Sequence, residues 1–226
     1  MNHCTVELLD HMGSDLTVAN VARVSFNNWK DTLDDRDVKL INYLAVHEHS
    51  SPFRHPQIQL RCSAPIFLAR QLQKHTVGLT WNEVSRRYVD TDIEFFVPDS
   101  WRSRPTDGMK QGSGGEVVTH IPNTVMGPDH PAYKIDKAYD EALDYLTQLY
   151  SDMLLAGVAP EMARMVLPQS MMVSWVWTGS LTSLFHIYRL RAEAHAQKEA
   201  QDFAQLIEEV IQPLFPHSWA ALKGDK

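Results

Sequence analysis

The stretch QIQLRCSAPIFLARQLQK, residues 57–74, decides the fold class. Its first eight residues, 57–64, alternate polar and apolar, the period of a half-buried strand with one solvated face. Pro65 stands where a first helical turn tolerates proline, and the residues after it are good helix formers. A strand that runs directly into a helix over residues 65–74, ending near Gly78, is the expectation.

Outward from this pair, residues 3–9 (HCTVELL) alternate in the same way and predict a second half-buried strand. Between the strands, Val38, Leu40, Ile41, Leu44 and Ala45 recur at helical spacing behind Asp31, Asp34, Asp35 and Asp37, acids suited to a helix N-terminus. Residues 93–97 (IEFFV) read as a short strand closed by Pro98. From Arg102 to Pro131 the chain carries Gly108, Gly112, Gly114, Gly115 and Gly127 among Pro105, Pro122, Pro128 and Pro131. Such an insertion loop is either a lid or binding loop or disordered. Ala138, Ala142, Leu143, Leu146, Leu149, Met153 and Leu154 then mark the core face of a helix. Further helices are expected over about 180–189 and about 195–211. The second carries Ala200, Phe203, Leu206, Ile207 and Val210 and is ended by Pro213 and Pro216. Strands gathered early and helices late predict an α+β class.

At 226 residues, with 44% apolar and 22% charged residues, the chain is an ordinary globular one. No linker or repeat divides it, so one domain over 1–226 is expected. A net charge of -7 disfavours a nucleic-acid coat or a membrane-surface protein, both of which need a basic face. Cys4 and Cys62 are far apart and have no CxxC partner, which excludes a disulfide framework or a cysteine-rich zinc site and points to a reducing compartment. The start, MNHCTVELLDHMGSD, lacks the features of a signal peptide, and no apolar run is long enough to span a bilayer. A cytoplasmic protein is expected, with neither nucleic acid nor membrane as partner.

The densest polar cluster is QLQKHTVGLTWNEVSRRY, residues 71–88. Its two adjacent arginines and nearby lysine offer forked and point-charge donors for phosphate, while Asn82, Glu83 and Ser85 suit a polar heterocycle. The alternative is a solvated turn, but Trp81 and Tyr88 flank the run as aromatics flank a nucleotide pocket. His47, His49 and His55 raise a metal site, yet HEH spaces its histidines two apart and no HExxH occurs. A structural or cofactor-contacting role is preferred, with no metal. GxSxG, GxxxxGK[ST] and GxGxxG are all missing. Cys62, within an alternating strand, reads as packed rather than nucleophilic.

Together ARVSF (22–26), HEHSSPFRH (47–55), APIFLARQ (64–71), NEVSRRY (82–88), EFFVP (94–98), ARMVLP (163–168) and LRAEAHAQKE (190–199) resemble the flavin-dependent thymidylate synthases nearly end to end. That family's signature is RHR, seven residues, then serine. Here the region reads Lys74-His75-Thr76 with eight residues before Ser85, which aligns either without a gap, putting His75 on the first arginine, or with Lys74 and His75 on the first Arg and His and a one-residue insertion, preferred because it keeps Gln71 in register.

The resemblance implies a central, mostly antiparallel sheet flanked by helices, a helical C-terminal half, and a homotetramer whose active sites are shared between subunits. It implies FAD as cofactor, NADPH and methylenetetrahydrofolate as co-substrates, and methylation of dUMP at C5. The dUMP contacts fall on Gln71, Lys74, Glu83, Ser85, Arg86, Arg87, Arg164 and Arg191. The FAD contacts fall on His49, Ser51, Arg54, His75, Val77, Gly78, Leu79, Asn82, Glu83, Ser180, Thr182 and His186. Arg54 stands where the family has glutamate, and Thr182 where it has arginine. The implied catalytic set is Arg191, Ser85 and Arg87, and the family's serine does not attack the uracil. Arg191 is the candidate to stabilise enolate-like charge on the uracil, with Arg87 and Lys74 as anchors. Rival readings are another flavin-dependent pyrimidine modification such as hydroxymethylation, a non-catalytic nucleotide-binding homologue, and a histidine metal hydrolase.

Overall fold

A computed structural model describes residues 4–105, 112–122 and 131–224. In chain order the elements are β1 Thr5–Met12, α1 Asp15–Arg23, α2 Asp35–Val46, β2 Gln57–Pro65, α3 Ile66–Leu72, β3 Leu79–Glu83, β4 His120–Ile121, β5 Tyr133–Lys134, α4 Ile135–Leu155, α5 Pro160–Ala163, β6 Met172–Ser180, α6 Leu181–Arg191, α7 Lys198–Ile211 and α8 Pro216–Lys223. Contacts divide the chain into two compact units. The sheet unit holds Cys4–Ser63, Arg70–Glu83 and the chain from residue 174 onward, and the described part of the other lies in Ala64–Ala69 and Val84–Val173.

The α+β class holds, with a sheet ordered β1-β2-β6-β3 in which β1 with β2 and β3 with β6 are antiparallel. β2 follows its sequence alternation: Ile58, Leu60 and Cys62 are buried, while Gln57, Gln59 and Arg61 are not. Burial pushes the Cys62 thiol far above the ordinary cysteine range, consistent with a packing role. On the opposite face Gln59 Nε2 donates to Thr178 Oγ1 at 3.2 Å. The core face is aromatic. Trp81 of β3 stacks on Trp175 of β6 (4.2 Å, 17°), and Trp175 stacks on Phe203 of α7 (5.8 Å, 21°). Such pairs are worth about 0.5–1.5 kcal/mol each beyond the area they bury.

Several expectations are corrected. The strands do not all gather early, because β6 stands among the C-terminal helices; its alternating Val173, Trp175 and Trp177 are the period-two signal that would have found it. β3 occupies part of the polar run 71–88. It pairs as a strand because Trp81 faces the core while Thr80 and Asn82 face away. β1 is an edge strand, exposed along nearly its whole length, and a bulge between Leu8 and Asp10 breaks the alternation; His3 lies outside the described residues. α3 stops at Leu72, and α7 starts at Lys198 rather than near 195. α6 runs on to Arg191. Pro216 does not end α7 but opens α8 at a first-turn position.

In the other unit Leu143 and Tyr150 anchor α4, and of the expected core face only Ala142 is exposed. Residues 93–97 do not form a strand. Phe95 makes a single bridge to Met171, since its partner turns, Met171 N donating to Pro168 O at 3.0 Å. The described part of the glycine-rich segment is mostly loop, held by a few backbone pairings. Ser103 N donates to Glu116 O and Val118 N to Trp101 O, each at 2.8 Å, and β4 pairs with β5. A Cβ at Gly114 would stand 2.2 Å from Ser103 Oγ and 2.5 Å from Arg104 O, so only glycine fits there. Gly108, Gly127 and Pro128 lie outside the described residues.

Carboxylates, exposed in Asp34 and buried in Asp37 and Asp15, cap and tie the helices of the sheet unit. Asp34 caps α2, accepting from Arg36 N (2.9 Å) and Asp37 N (3.1 Å). Lys30 holds its carboxyl down to about 2. Burial alone would raise the fully buried Asp37, but Lys30 (2.9 Å) and Arg23 hold it below its ordinary value. Asp15, at the start of α1, accepts from His217 N (2.9 Å) and Ser218 N (2.8 Å) and so caps α8 from about two hundred residues away. Asp15→Ala is expected to cost about 1–2 kcal/mol, read as a lower urea midpoint with an unchanged slope.

Candidate active site

The pairing of β3 with β6 brings the turn at 75–79 onto the start of α6. Leu79 pairs with Gly179 and Trp81 with Trp177. The turn closes through His75 N to Leu72 O (3.0 Å) and Leu79 N to Thr76 O (3.4 Å). Gly78 adopts φ +69, and a Cβ on it would meet Ser183 Oγ at 2.4 Å. A Cβ on Gly179 would meet Leu79 Cδ2 at 2.4 Å and Gly78 O at 3.0 Å. Gly78 therefore needs glycine, while a side chain at Gly179 would have to displace Leu79 and crowd Gly78 O. Ser180 caps α6, accepting from Ser183 N at 3.2 Å. Leu181 N donates to Pro56 O at 3.1 Å, which ties the loop of His49, Ser51 and Arg54 to the same helix start.

All the residues expected to contact flavin thus belong to the sheet unit. They fit a phosphate-bearing cofactor: the eleven-residue α6 presents its N-terminus, hydroxyls of Ser180, Thr182 and Ser183 line it, and Thr182 Oγ1 is a buried atom without a hydrogen-bond partner among the described residues. Val77 is exposed beside them, and Asn82 and Glu83 follow on β3. His47 and His49 gather on an aromatic: His47 stacks on Tyr43 at 4.0 Å and its Nδ1 donates to Tyr43 O (2.8 Å), with the His49 ring edge-on to Tyr43. Among the described residues no three His, Cys, Asp or Glu side chains come together as a metal site.

A contact that the sequence does not announce lies at the other end of α6. Arg191 Nε donates to His75 Nε2 at 3.1 Å, and the His186 ring stands edge-on to His75 at 6.1 Å. Burial, the Arg191 charge and His186 push the His75 imidazole down to about 4, so it is neutral at physiological pH. Burial also lowers Arg191 from its ordinary value. Among the described residues Arg191 has no carboxylate partner. A half-buried guanidinium of this kind suits an anionic or carbonyl-bearing ligand. The expected helix stopped near 189, so neither the place of Arg191 in its last turn nor its pairing across 116 residues with His75 was legible.

The expected nucleotide residues are divided between the units. In the sheet unit Gln71 Oε1 is buried without a partner among the described residues, Lys74 is exposed, and Glu83 accepts from Trp81 Nε1 at 3.1 Å. In the other unit Ser85 Oγ accepts from Arg87 N and Arg87 Nε, each at 3.3 Å, and the Arg87 guanidinium lies 5.1 Å from the Tyr88 ring centre. Arg86 donates to the carbonyls of Val89 (3.4 Å), Thr91 and Asp92 (3.1 Å). It closes its own loop rather than presenting a free fork. Arg164 Nε donates to Glu161 O at 3.3 Å and is otherwise exposed.

Gly78→Ala is expected to destabilise the fold by about 1–3 kcal/mol through positive-φ strain and the encounter with Ser183. Pairing it with Ser183→Ala should recover part of the loss in denaturation midpoints, since only the steric share is relieved.

The chain matches the family model described as thymidylate synthase complementing protein over residues 7–217. A flavin-dependent thymidylate synthase of Thermotoga neapolitana is 35% identical, covering 97% of this chain and 93% of that protein. One from Thermus thermophilus is 34% identical, covering 96% and 75%. Among solved structures, a UMP/dUMP methylase PolB from Streptomyces cacaoi bound with 5-Br UMP superposes with a TM-score of 0.80 at 29% identity, covering 100% of this chain and 96% of that one. The same methylase bound with 5-Br dUMP gives 0.80 at 30% identity, covering 99% and 96%. With the signature-bearing turn, β3 and α6 all inside the matched span, the chain belongs to the flavin-dependent thymidylate synthase family.

Proposed function

We propose that the whole chain, 1–226, acts as one functional domain that binds FAD and methylates C5 of dUMP to give dTMP. Methylenetetrahydrofolate is the carbon donor and NADPH the reductant. The single observation that carries this reading is the Arg191 guanidinium, half-buried, held by a neutral imidazole and without a carboxylate counterion among the described residues. Ser180, Thr182, Gly78 and the Arg54 loop hold the flavin, which supplies the hydride chemistry when bound. Arg191 stabilises the negative charge that grows on the uracil carbonyls as C5 is activated. Ser85 and Arg87, already hydrogen-bonded to each other, bind the nucleotide as a pair. Gln71, with its unspent carbonyl oxygen, orients the base, and Lys74 anchors phosphate.

A homotetramer fits the exposed apolar residues Val24, Phe26, Trp29, Tyr43 and Val46 on one stretch of chain, of which Phe26 is 82% exposed. A cytoplasmic location fits the two unpaired cysteines. No described helix is long and apolar enough to cross a membrane.

A second substrate reading has a specific support: the solved structures that resemble the chain are of a methylase described as acting on UMP as well as dUMP. Incubation with FAD, NADPH, methylenetetrahydrofolate and C5-tritiated dUMP or UMP decides between the two. Tritium release with a product heavier by one methyl group is expected with dUMP. A hydroxymethyl mass, or binding without tritium release, would overturn the thymidylate reading. Arg191→Ala is expected to lower the single-turnover rate about 100-fold or more, whereas Arg87→Ala should chiefly weaken dUMP binding, by about 10-fold. Equal effects of both on rate and affinity would contradict this division.

A further inference from the structure

An arginine that must face a ligand anion has two needs that conflict. Its plane must be fixed, which calls for an acceptor, and its charge must stay uncompensated, which forbids a carboxylate. His75 meets both. Its Nε2 takes the Arg191 Nε–H at 3.1 Å, and among the described residues Arg191 makes no other hydrogen bond or ion pair. A guanidinium has five N–H donors, so four remain unspent. To accept at Nε2 the imidazole must be neutral with its proton on Nδ1. The groups that face the ring hold it so: Arg191 and His186, both on α6, disfavour a second positive charge, as burial does. Arg189, next along the helix, reaches His186 at 3.5 Å rather than His75.

We propose that His75 is a positioning residue for Arg191, a neutral acceptor that fixes the guanidinium plane and leaves its terminal amino groups, with their full charge, to the pyrimidine nucleotide. This rests on Arg191 being the group that faces the nucleotide. The turn supplies the ring in the right place because Gly78 and Gly179 let residues 75–79 close on α6. A glutamate at position 75 would orient the arginine but neutralise it, a lysine would repel it, and a glutamine would offer a carbonyl oxygen where Nε2 now stands.

The test is a substitution series in the FAD-loaded protein, read by dUMP dissociation constant, single-turnover rate and the imidazole 15N shifts of His75. His75→Gln is expected to retain more of the rate than His75→Leu, which should lose about 10-fold or more. His75→Glu should weaken dUMP binding although it keeps an acceptor. In an Arg191→Ala background His75→Leu should add nothing. The wild-type ring should titrate near 4 and move up toward the ordinary histidine value when Arg191 is removed. The 15N shifts are read without turnover, so they test the contact even where a variant is inactive. His75→Gln as impaired as His75→Leu, or a His75→Leu loss that persists without Arg191, overturns the positioning role alone. If Arg191→Ala itself leaves dUMP binding and turnover unchanged, the nucleotide role of Arg191 fails and the proposal fails with it.

Discussion

The approach of the 75–79 turn to the first turn of α6 is the constraint on which the sheet unit depends. Two positions without a Cβ make it possible, Gly78 against Ser183 and Gly179 against Leu79. Their closeness permits β3 to pair with β6 from Leu79 onward, which puts Trp81 on Trp175 and so joins the pairing to the aromatic core. It also lays His75 against Arg191. One steric condition therefore serves packing, the placing of the start of α6, and the orientation of a charged side chain.

Much of the fold was legible because β2 and the helices α2, α4 and α7 carry clean periods. What escaped had a physical reason in each case. β3 is a five-residue strand in which only Trp81 and Leu79 mark the inner face, so its polar residues read as a loop. α8 follows one proline and opens on another, and its cap comes from Asp15 near the other end of the chain, a bond no local pattern encodes. β1 alternates in sequence, but an edge position and a bulge leave it exposed.

For the site, the residue types of 71–88 pointed to an anion or nucleotide, the resemblance of seven ordered segments pointed to the family, and both ends of α6 carry polar groups suited to ligands. The departures from the family signature take on a physical sense here. Thr182, where the family has arginine, leaves a buried hydroxyl oxygen without a described partner, a group that a ligand oxygen or hydroxyl can satisfy. Arg86, indistinguishable in sequence from its neighbour Arg87, is committed to three backbone carbonyls. Adjacent arginines with different partners are beyond what a linear pattern can separate, since the difference lies in how the 86–92 loop folds back.

The central claim is that the turn and helix start of the sheet unit hold a flavin that senses the nucleotide. The most direct measurement is the absorbance spectrum of the protein after incubation with excess FAD and desalting, recorded with and without dUMP. A retained flavin spectrum that shifts on addition of dUMP is the result this account predicts. A protein that leaves the desalting column without flavin, or whose flavin spectrum ignores dUMP at saturating concentration, would contradict it.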